Sequence, residues 1–362
     1  MTTTLTRLDD LFDALRASGY TVVGPRERSG AIVYEELAGA DELATGWVDE
    51  ADGGRYRLAR TGDDSLFSHA TGPDSLKRFL FPPRVRTWRS SADGDLEVGE
   101  PVPRYAFVGV RACDLHAVAV QDRVFLEGSY VEPDYAARRR DAFFVAVNCS
   151  RAGGTCFCVS MGTGPRVEAG HDVVLTELLD ARGHRFLADA GSERGAELLA
   201  ALPGAPAAPE DLQAEHAALD ATAASMGRRL DTAGLRELLQ EHPEHPRWDD
   251  VAQRCLSCGN CTMVCPTCFC STVEDTTDLA GTSSERTRVW DTCFSLEHSY
   301  VHGGAVRRTT RSRYRQWMTH KLSTWIDQFG TSGCVGCGRC IAWCPVAIDI
   351  TEEVAAIRAD TG

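Results

Sequence analysis

The sequence predicts an α+β protein, in which a mixed α/β N-terminal domain is joined to a mainly α C-terminal domain. Three observations predict it. Two nearly continuous apolar runs, Tyr105–Val110 and Phe143–Val147, suit strands buried within a sheet. The stretch between Gly191 and Glu244 is rich in Ala, Glu, Leu and Pro, and it reads as helices around a linker. Beyond it, cysteine and glycine organise the chain more than apolar periodicity does. The expected division is 1–200 for the α/β domain, 201–246 for a linker and helical connection, and 247–362 for the cysteine-rich domain.

The elements follow in order. Leu5, Leu8, Leu11 and Leu15 recur at helical spacing and predict a short amphipathic opening helix. Strand-like segments come next at Ala31–Leu37 and Arg55–Arg60. The two strong strands each lead into cysteine chemistry, as Arg111-Ala112-Cys113-Asp114 and as Asn148-Cys149-Ser150. Groups at the ends of neighbouring strands can converge on one site. Helices are expected at Ser192–Leu202 and Asp211–Leu239, flanking a linker from Pro203 to Pro209. The motif His242-Pro243-Glu244-His245-Pro246 predicts a rigid turn rather than a ligand set, because two prolines stiffen it.

The cysteine-rich domain carries one pattern twice. Cys255, Cys258, Cys261, Cys265 and Pro266 form a Cys-x-x-Cys-x-x-Cys-x-x-x-Cys-Pro run, and Cys334, Cys337, Cys340, Cys344 and Pro345 repeat it. This run holds [4Fe–4S] clusters in bacterial ferredoxins, where the fourth Cys ligates the other cluster. The assignment is therefore crossed: Cys255, Cys258, Cys261 and Cys344 for one cluster, and Cys334, Cys337, Cys340 and Cys265 for the other. Gly259, Gly336 and Gly338 allow the backbone to bend close to the inorganic sulfides. Structural zinc prefers Cys pairs or Cys/His mixtures and does not account for two four-Cys runs ending in Cys-Pro. The fold expectation is thus a split bacterial-ferredoxin-like dicluster module.

Seven of the fifteen cysteines lie outside the runs. Cys113, Cys149, Cys156 and Cys158 are the candidate ligands of a third cluster in the N-terminal domain, with Asp114 and His116 in reserve. The competing reading is that they are buried, inert thiols. Cys268, Cys270 and Cys293 are expected to be structural, packing against the clusters, or else to join the N-terminal cysteines in a site between domains.

Composition narrows the function classes. With 362 residues, 43% apolar and 25% charged, the chain can bury the core of two or three soluble domains. No apolar run reaches membrane-spanning length, and the first residues lack the basic and apolar regions of a signal peptide. The expected location is cytoplasmic, where thiols stay reduced and available to metal. A net charge of −14 argues against nucleic-acid binding. One basic strip stands out, with Arg307, Arg308, Arg311, Arg313, Arg315 and Lys321 and no acidic residue between Ser299 and Lys321. It reads either as a solvated helix face, or as a partner-docking strip or set of donors around anionic clusters.

Gly162-Thr163-Gly164-Pro165 fails the dinucleotide fingerprint, and a Walker A motif is absent. No catalytic residue and no independent substrate site are expected; clusters without a nucleotide site suggest a chain that passes electrons between partners, with the chemistry at either end belonging to other subunits.

The block from Arg254 to Asp349 resembles the β subunit of cytoplasmic NAD(P)-linked nickel–iron hydrogenases, also called sulfhydrogenase or hydrogenase/sulfur reductase. It is also similar to the 4Fe–4S dicluster subunit of anaerobic sulfite reductases. The residues that carry the likeness are Arg254–Cys261, Cys265-Pro266-Thr267-Cys268-Phe269-Cys270, Trp290–Phe294, Tyr314–Trp317 and Gly333–Pro345, with Gly109–His116 and Asn148-Cys149 in the N-terminal part. The resemblance implies a heterotetramer in which a flavin/NAD(P)-binding γ subunit joins the small and large [NiFe]-hydrogenase subunits. The chain would carry electrons among them, or to sulfur or polysulfide. The alternative it implies is an electron-transfer component of a sulfite reductase. A third expectation, from another class, is that the chain reduces polysulfide itself through Cys268, Cys270 and Cys293.

Overall fold

The computed structural model describes residues 2–70, 72–99 and 101–360. An eight-stranded mixed sheet forms the N-terminal body. From edge to edge its strands are Ala205–Pro206, Thr3–Leu5, Gly183–Ala190, Val173–Asp180, Phe143–Val147, Tyr105–Val110, Thr21–Arg28 and Ala31–Glu36. Val173–Asp180, Phe143–Val147, Tyr105–Val110 and Thr21–Arg28 pair in parallel, and the flanking strands are antiparallel.

Alternation along the strands divides the core into two faces. Ala106, Val108, Phe143, Val145 and Val147 pack with Leu11 and Leu15 of the helix Asp9–Ala17 and with Leu8 at its N-cap. Tyr105, Phe107, Phe144 and Ala146 pack with Leu115, Val118 and Phe125 of the helix Ala112–Phe125. Helices therefore cover both faces, which is why the central strands read as unbroken apolar runs. Because Tyr105–Val110 and Phe143–Val147 are parallel neighbours, their C-terminal ends, with Cys113 and Cys149 just beyond, lie at the same edge of the sheet.

The strands at Arg55–Arg60, Tyr105–Val110 and Phe143–Val147 match the sequence reading, as does the helix Glu193–Ala201, which Ser192 caps by accepting from Gly195 N–H. Three details differ. Leu5 belongs to an edge strand, and the opening helix begins at Asp9. The expected linker contributes Ala205–Pro206 to the sheet edge, paired with Thr3 and Thr4. The single helix expected over Asp211–Leu239 is two, Pro209–Ala224 and Leu235–Glu241. The break has a cause. A Cβ on Gly227 would lie 2.1 Å from the Gly154 carbonyl oxygen, and Arg228 N–H donates to Cys156 O at 2.9 Å. The chain crosses the N-terminal cysteine loop at van der Waals distance, which only glycine permits.

The cysteine-rich segment is less helical than expected. Ser271–Thr277 and Ser284–Trp290 form an antiparallel hairpin, and Arg84–Ser90 of the N-terminal part extends it to a four-stranded sheet with Leu96–Val98. Strand pairing thus crosses the boundaries drawn at residues 200 and 246. Among the described residues no helix is long and apolar enough to cross a membrane.

Candidate iron–sulfur centres

The two runs fold alike. Gly259 (φ 74°) and Gly338 (φ 73°) take the left-handed conformation and each starts one helical turn, Asn260–Met263 and Arg339–Ala342. In each run the residue two beyond the first Cys turns its N–H back to that sulfur: Ser257 to Cys255 at 3.4 Å and Gly336 to Cys334 at 3.5 Å. Ile348 N–H approaches Cys344 Sγ at 3.3 Å. Such donors favour the thiolate and help set cluster potential.

Cys255, Cys258, Cys261 and Cys344 line one cavity, whose apolar wall includes Phe294, Tyr314 and Trp317. Cys340 also reaches its lining. Cys265 is the electrostatic neighbour of Cys334, Cys337 and Cys340. Cys344 thus lines the first-run cavity, while Cys265 acts electrostatically on the second run's cysteines and also on Cys261. Burial pushes the Cys261 and Cys340 thiols well up and Cys334 up to about 12. Uncompensated thiolates are thus disfavoured here, and a bound metal core supplies the charge that makes them stable. Cys265 is held well below the usual thiol range, chiefly by a hydrogen bond from Cys268, aided by the Lys321 ammonium and Thr267.

Cys113, Cys149, Cys156 and Cys158 line a second cavity together with Arg111, Gly336 and Cys337. It lies beyond the carboxyl ends of parallel strands, where open α/β sheets place ligands. Burial raises all four thiols, Cys158 to about 12. Gly336 fits against Cys158 so closely that a Cβ there would lie 2.7 Å from the Cys158 backbone. The second run and the N-terminal cysteine loop are therefore packed backbone to backbone. Of the reserve ligands, Asp114 is committed to Arg339 at 2.8 Å. His116 is not part of this lining.

The sequence reading missed most of the buried cations. Arg111 donates to Phe67 O at 2.9 Å and His69 O at 2.8 Å, with Cys149 Sγ at 4.0 Å. Arg339 pairs with Asp114 and donates to Gly72 O at 3.0 Å, both side chains being almost wholly buried. Lys77 caps the carbonyls of Thr262 and Met263 at 3.3 and 3.2 Å and lies over the Trp290 ring. Arg111 and Arg339 fall within the motif stretches Gly109–His116 and Gly333–Pro345, whereas Lys77 lies in no recognisable pattern.

The basic strip divides. The helix Thr310–Thr319 continues through a π-helical turn, His320–Thr324, into Trp325–Phe329. That turn aims Lys321 inward, donating to Cys265 Sγ and Thr267 Oγ1 at 3.2 Å and Cys268 Sγ at 3.4 Å. Arg311 and Arg315 instead pair with Glu244, and Arg313 donates to Ser257 Oγ. In the His-Pro turn, His242 Nδ1 bonds Leu238 O and His245 Nδ1 accepts from Arg247 N–H.

Cys268, Cys270 and Cys293 do not join the N-terminal cysteines. They line a separate cavity.

A 4Fe-4S dicluster domain matches residues 254–348, a span that contains both runs. Across nearly its whole length the chain is 32% identical to sulfhydrogenase 2 subunit beta of Pyrococcus furiosus, over 352 residues covering 96% of this chain and 95% of the relative. The chain belongs to the sulfhydrogenase subunit beta family. No solved structure matches it. As a member of that family the chain carries [4Fe–4S] clusters, and it is an iron–sulfur subunit of an oxidoreductase. The groups that fit clusters are the thiols just described, gathered in apolar cavities with backbone N–H donors on sulfur and buried cations nearby.

Proposed function

We propose that this chain is the electron relay of a cytoplasmic multi-subunit hydrogenase, linking a flavin/NAD(P)-binding γ subunit to the small and large [NiFe]-hydrogenase subunits. Cys255, Cys258, Cys261 and Cys344 hold one [4Fe–4S] cluster, and Cys334, Cys337, Cys340 and Cys265 hold a second. Cys113, Cys149, Cys156 and Cys158 hold a third. When bound, the clusters supply one-electron transfer. The chain's own residues place them, exclude water and balance their charge.

One observation supports this most: the second run borders both of the other cysteine sites. Its Cys340 lines the first-run cavity, where Cys258 is exposed, and its Cys337 with Gly336 walls the N-terminal cavity. The second run is therefore placed to pass electrons between the other two sites. The relative's name favours a hydrogenase complex over a sulfite reductase.

The test is cluster content and relay. Anaerobically purified chain should hold at least about twelve iron and twelve sulfide, and Cys149→Ser/Cys156→Ser should lose about four of each. An unchanged count in that variant would remove the N-terminal cluster. In the assembled complex, Cys334→Ser should abolish hydrogen-dependent NAD(P) reduction while dye-linked hydrogen oxidation by the partner persists. Unchanged NAD(P) reduction would overturn the relay.

A further inference from the structure

Three thiols remain outside all of these sets. Cys268 and Cys270 lie on the extended segment after Cys265-Pro266, and Cys293 follows the strand Ser284–Trp290. The hairpin register brings them together. Ser271 pairs with Trp290, and Asp291 N–H donates to Cys270 O at 2.9 Å, so the two segments run side by side where the thiols emerge. Cys270 interacts electrostatically with both Cys293 and His298, whose Nδ1 meets Asp291 Oδ2 at 3.2 Å. All three cysteines face one cavity, walled by Trp317 and Trp325 and closed by His320 and Lys321.

Small apolar packing would account for buried cysteines one at a time. It does not account for this group. A hydrophobic seam has no use for a lysine that is only 3% exposed, since burying an ammonium is costly unless negative charge compensates it. Lys321 Nζ touches sulfur on both sides, Cys265 of the second-run set and Cys268 of this one. Its other acceptors, Thr267 Oγ1 and Gly333 O, are neutral. A buried cation between two groups of thiols is the arrangement expected between two anionic centres. Among the described residues no three His, Cys, Asp or Glu are gathered for a single ion, at the family's own runs or here. Three thiols lining one cavity beside a buried ammonium are a donor set suited to an anionic iron–sulfur cluster.

We propose that Cys268, Cys270 and Cys293 hold a further iron–sulfur cluster, separate from the dicluster and from the N-terminal site. It has three thiolate ligands and a fourth position taken by a group other than cysteine. His320 is the imidazole in the lining that can fill this position. Its Nε2 is engaged by Gln328 Oε1 at 3.0 Å, leaving Nδ1 for metal. A cluster here stands beside the second-run site across Lys321 and beside the first-run cavity across Trp317, which lines both cavities. It makes the relay branched rather than linear.

The experiment compares the wild-type full chain with Cys270→Ser/Cys293→Ser, both reconstituted anaerobically with iron and sulfide. The variant should lose up to about four iron and four sulfide, the content of one cubane, with the dicluster EPR signals unchanged. Equal iron in the two proteins overturns the proposal. If the variant does not fold, an iron-edge anomalous map of wild-type crystals decides. Density within bonding reach of the three sulfurs supports the site, and its absence while both runs are occupied overturns it. Iron missing from the runs as well would instead count against the relay assignment.

Discussion

The two runs share ligand pattern, left-handed glycine, helical turn and N–H···S contact, yet they sit in opposite surroundings. The first lies near solvent: Cys258 is exposed and Leu256 beside it is 63% exposed. The second is interior. Cys337 is buried, Arg339 is locked to Asp114 of the α/β body, and Lys321 stands over Cys265. The difference teaches that the motif specifies the cluster and the surroundings specify its place in the wire. The outer site can meet a partner. The inner one is held by buried charge and adjoins the N-terminal cysteine cavity through Gly336 and Cys337.

The strongest way to break this comparison is to remove the charge that anchors the inner run. Arg339→Met leaves Asp114 as an uncompensated buried carboxylate, a change that costs about 3–5 kcal/mol. The melting temperature of the holo-protein should fall steeply, and second-run iron should be lost first. A wild-type melt would show that the pair does not hold the inner site. The second test separates the sites through their crossed ligands. Cys344→Ser should remove the first-run cluster, about four irons, and Cys265→Ser the second-run cluster. EPR of the reduced variants reads which signal disappears, and the reverse pattern would refute the crossing.

A smaller effect is expected at Lys321. A nearby cation stabilises the reduced, more negative cluster, so Lys321→Met should make the second-run potential more negative and change the first-run potential less. Equal shifts in a redox titration would deny the asymmetry. A further effect, confined to acid pH, lies at His69. Burial, aided by Arg111, pushes its imidazole down to about 3. The unfolded chain protonates this histidine near pH 6.5 and the folded chain does not, so its contribution is intact above that pH. As pH falls from 6.5 toward 3, stability drops by about 1.4 kcal/mol per pH unit for this one proton. His69→Gln should flatten that slope in pH-dependent denaturant melts, and an unchanged slope would remove His69 as its source.

Much of the site was legible because cluster ligation is local. Cysteines spaced by two residues can wrap a cubane only in one kind of turn, so Cys255–Cys265 and Cys334–Cys344 announce their chemistry in sequence. The buried strands Tyr105–Val110 and Phe143–Val147 were legible because helices cover both their faces. The hairpin Ser271–Trp290 was not. Its first strand is exposed along its whole length and carries no apolar alternation. The helix break near Gly227 was equally hidden, since it is imposed by contact with Gly154, far away in sequence.

The sequence by itself determined the cofactor class, the two cysteine runs and the two buried strands of the α/β body, because these depend on residue spacing over a turn or a strand. Only the tertiary structure decided which run faces solvent, that Asp114 and Arg339 neutralise each other, and that Lys321 rather than the rest of its basic strip turns toward sulfur. It also decided that Cys268, Cys270 and Cys293 share a cavity. Those facts rest on burial and on contacts between segments remote in the chain. Electrostatic interactions there depend on distance and local polarity, neither of which residue order encodes.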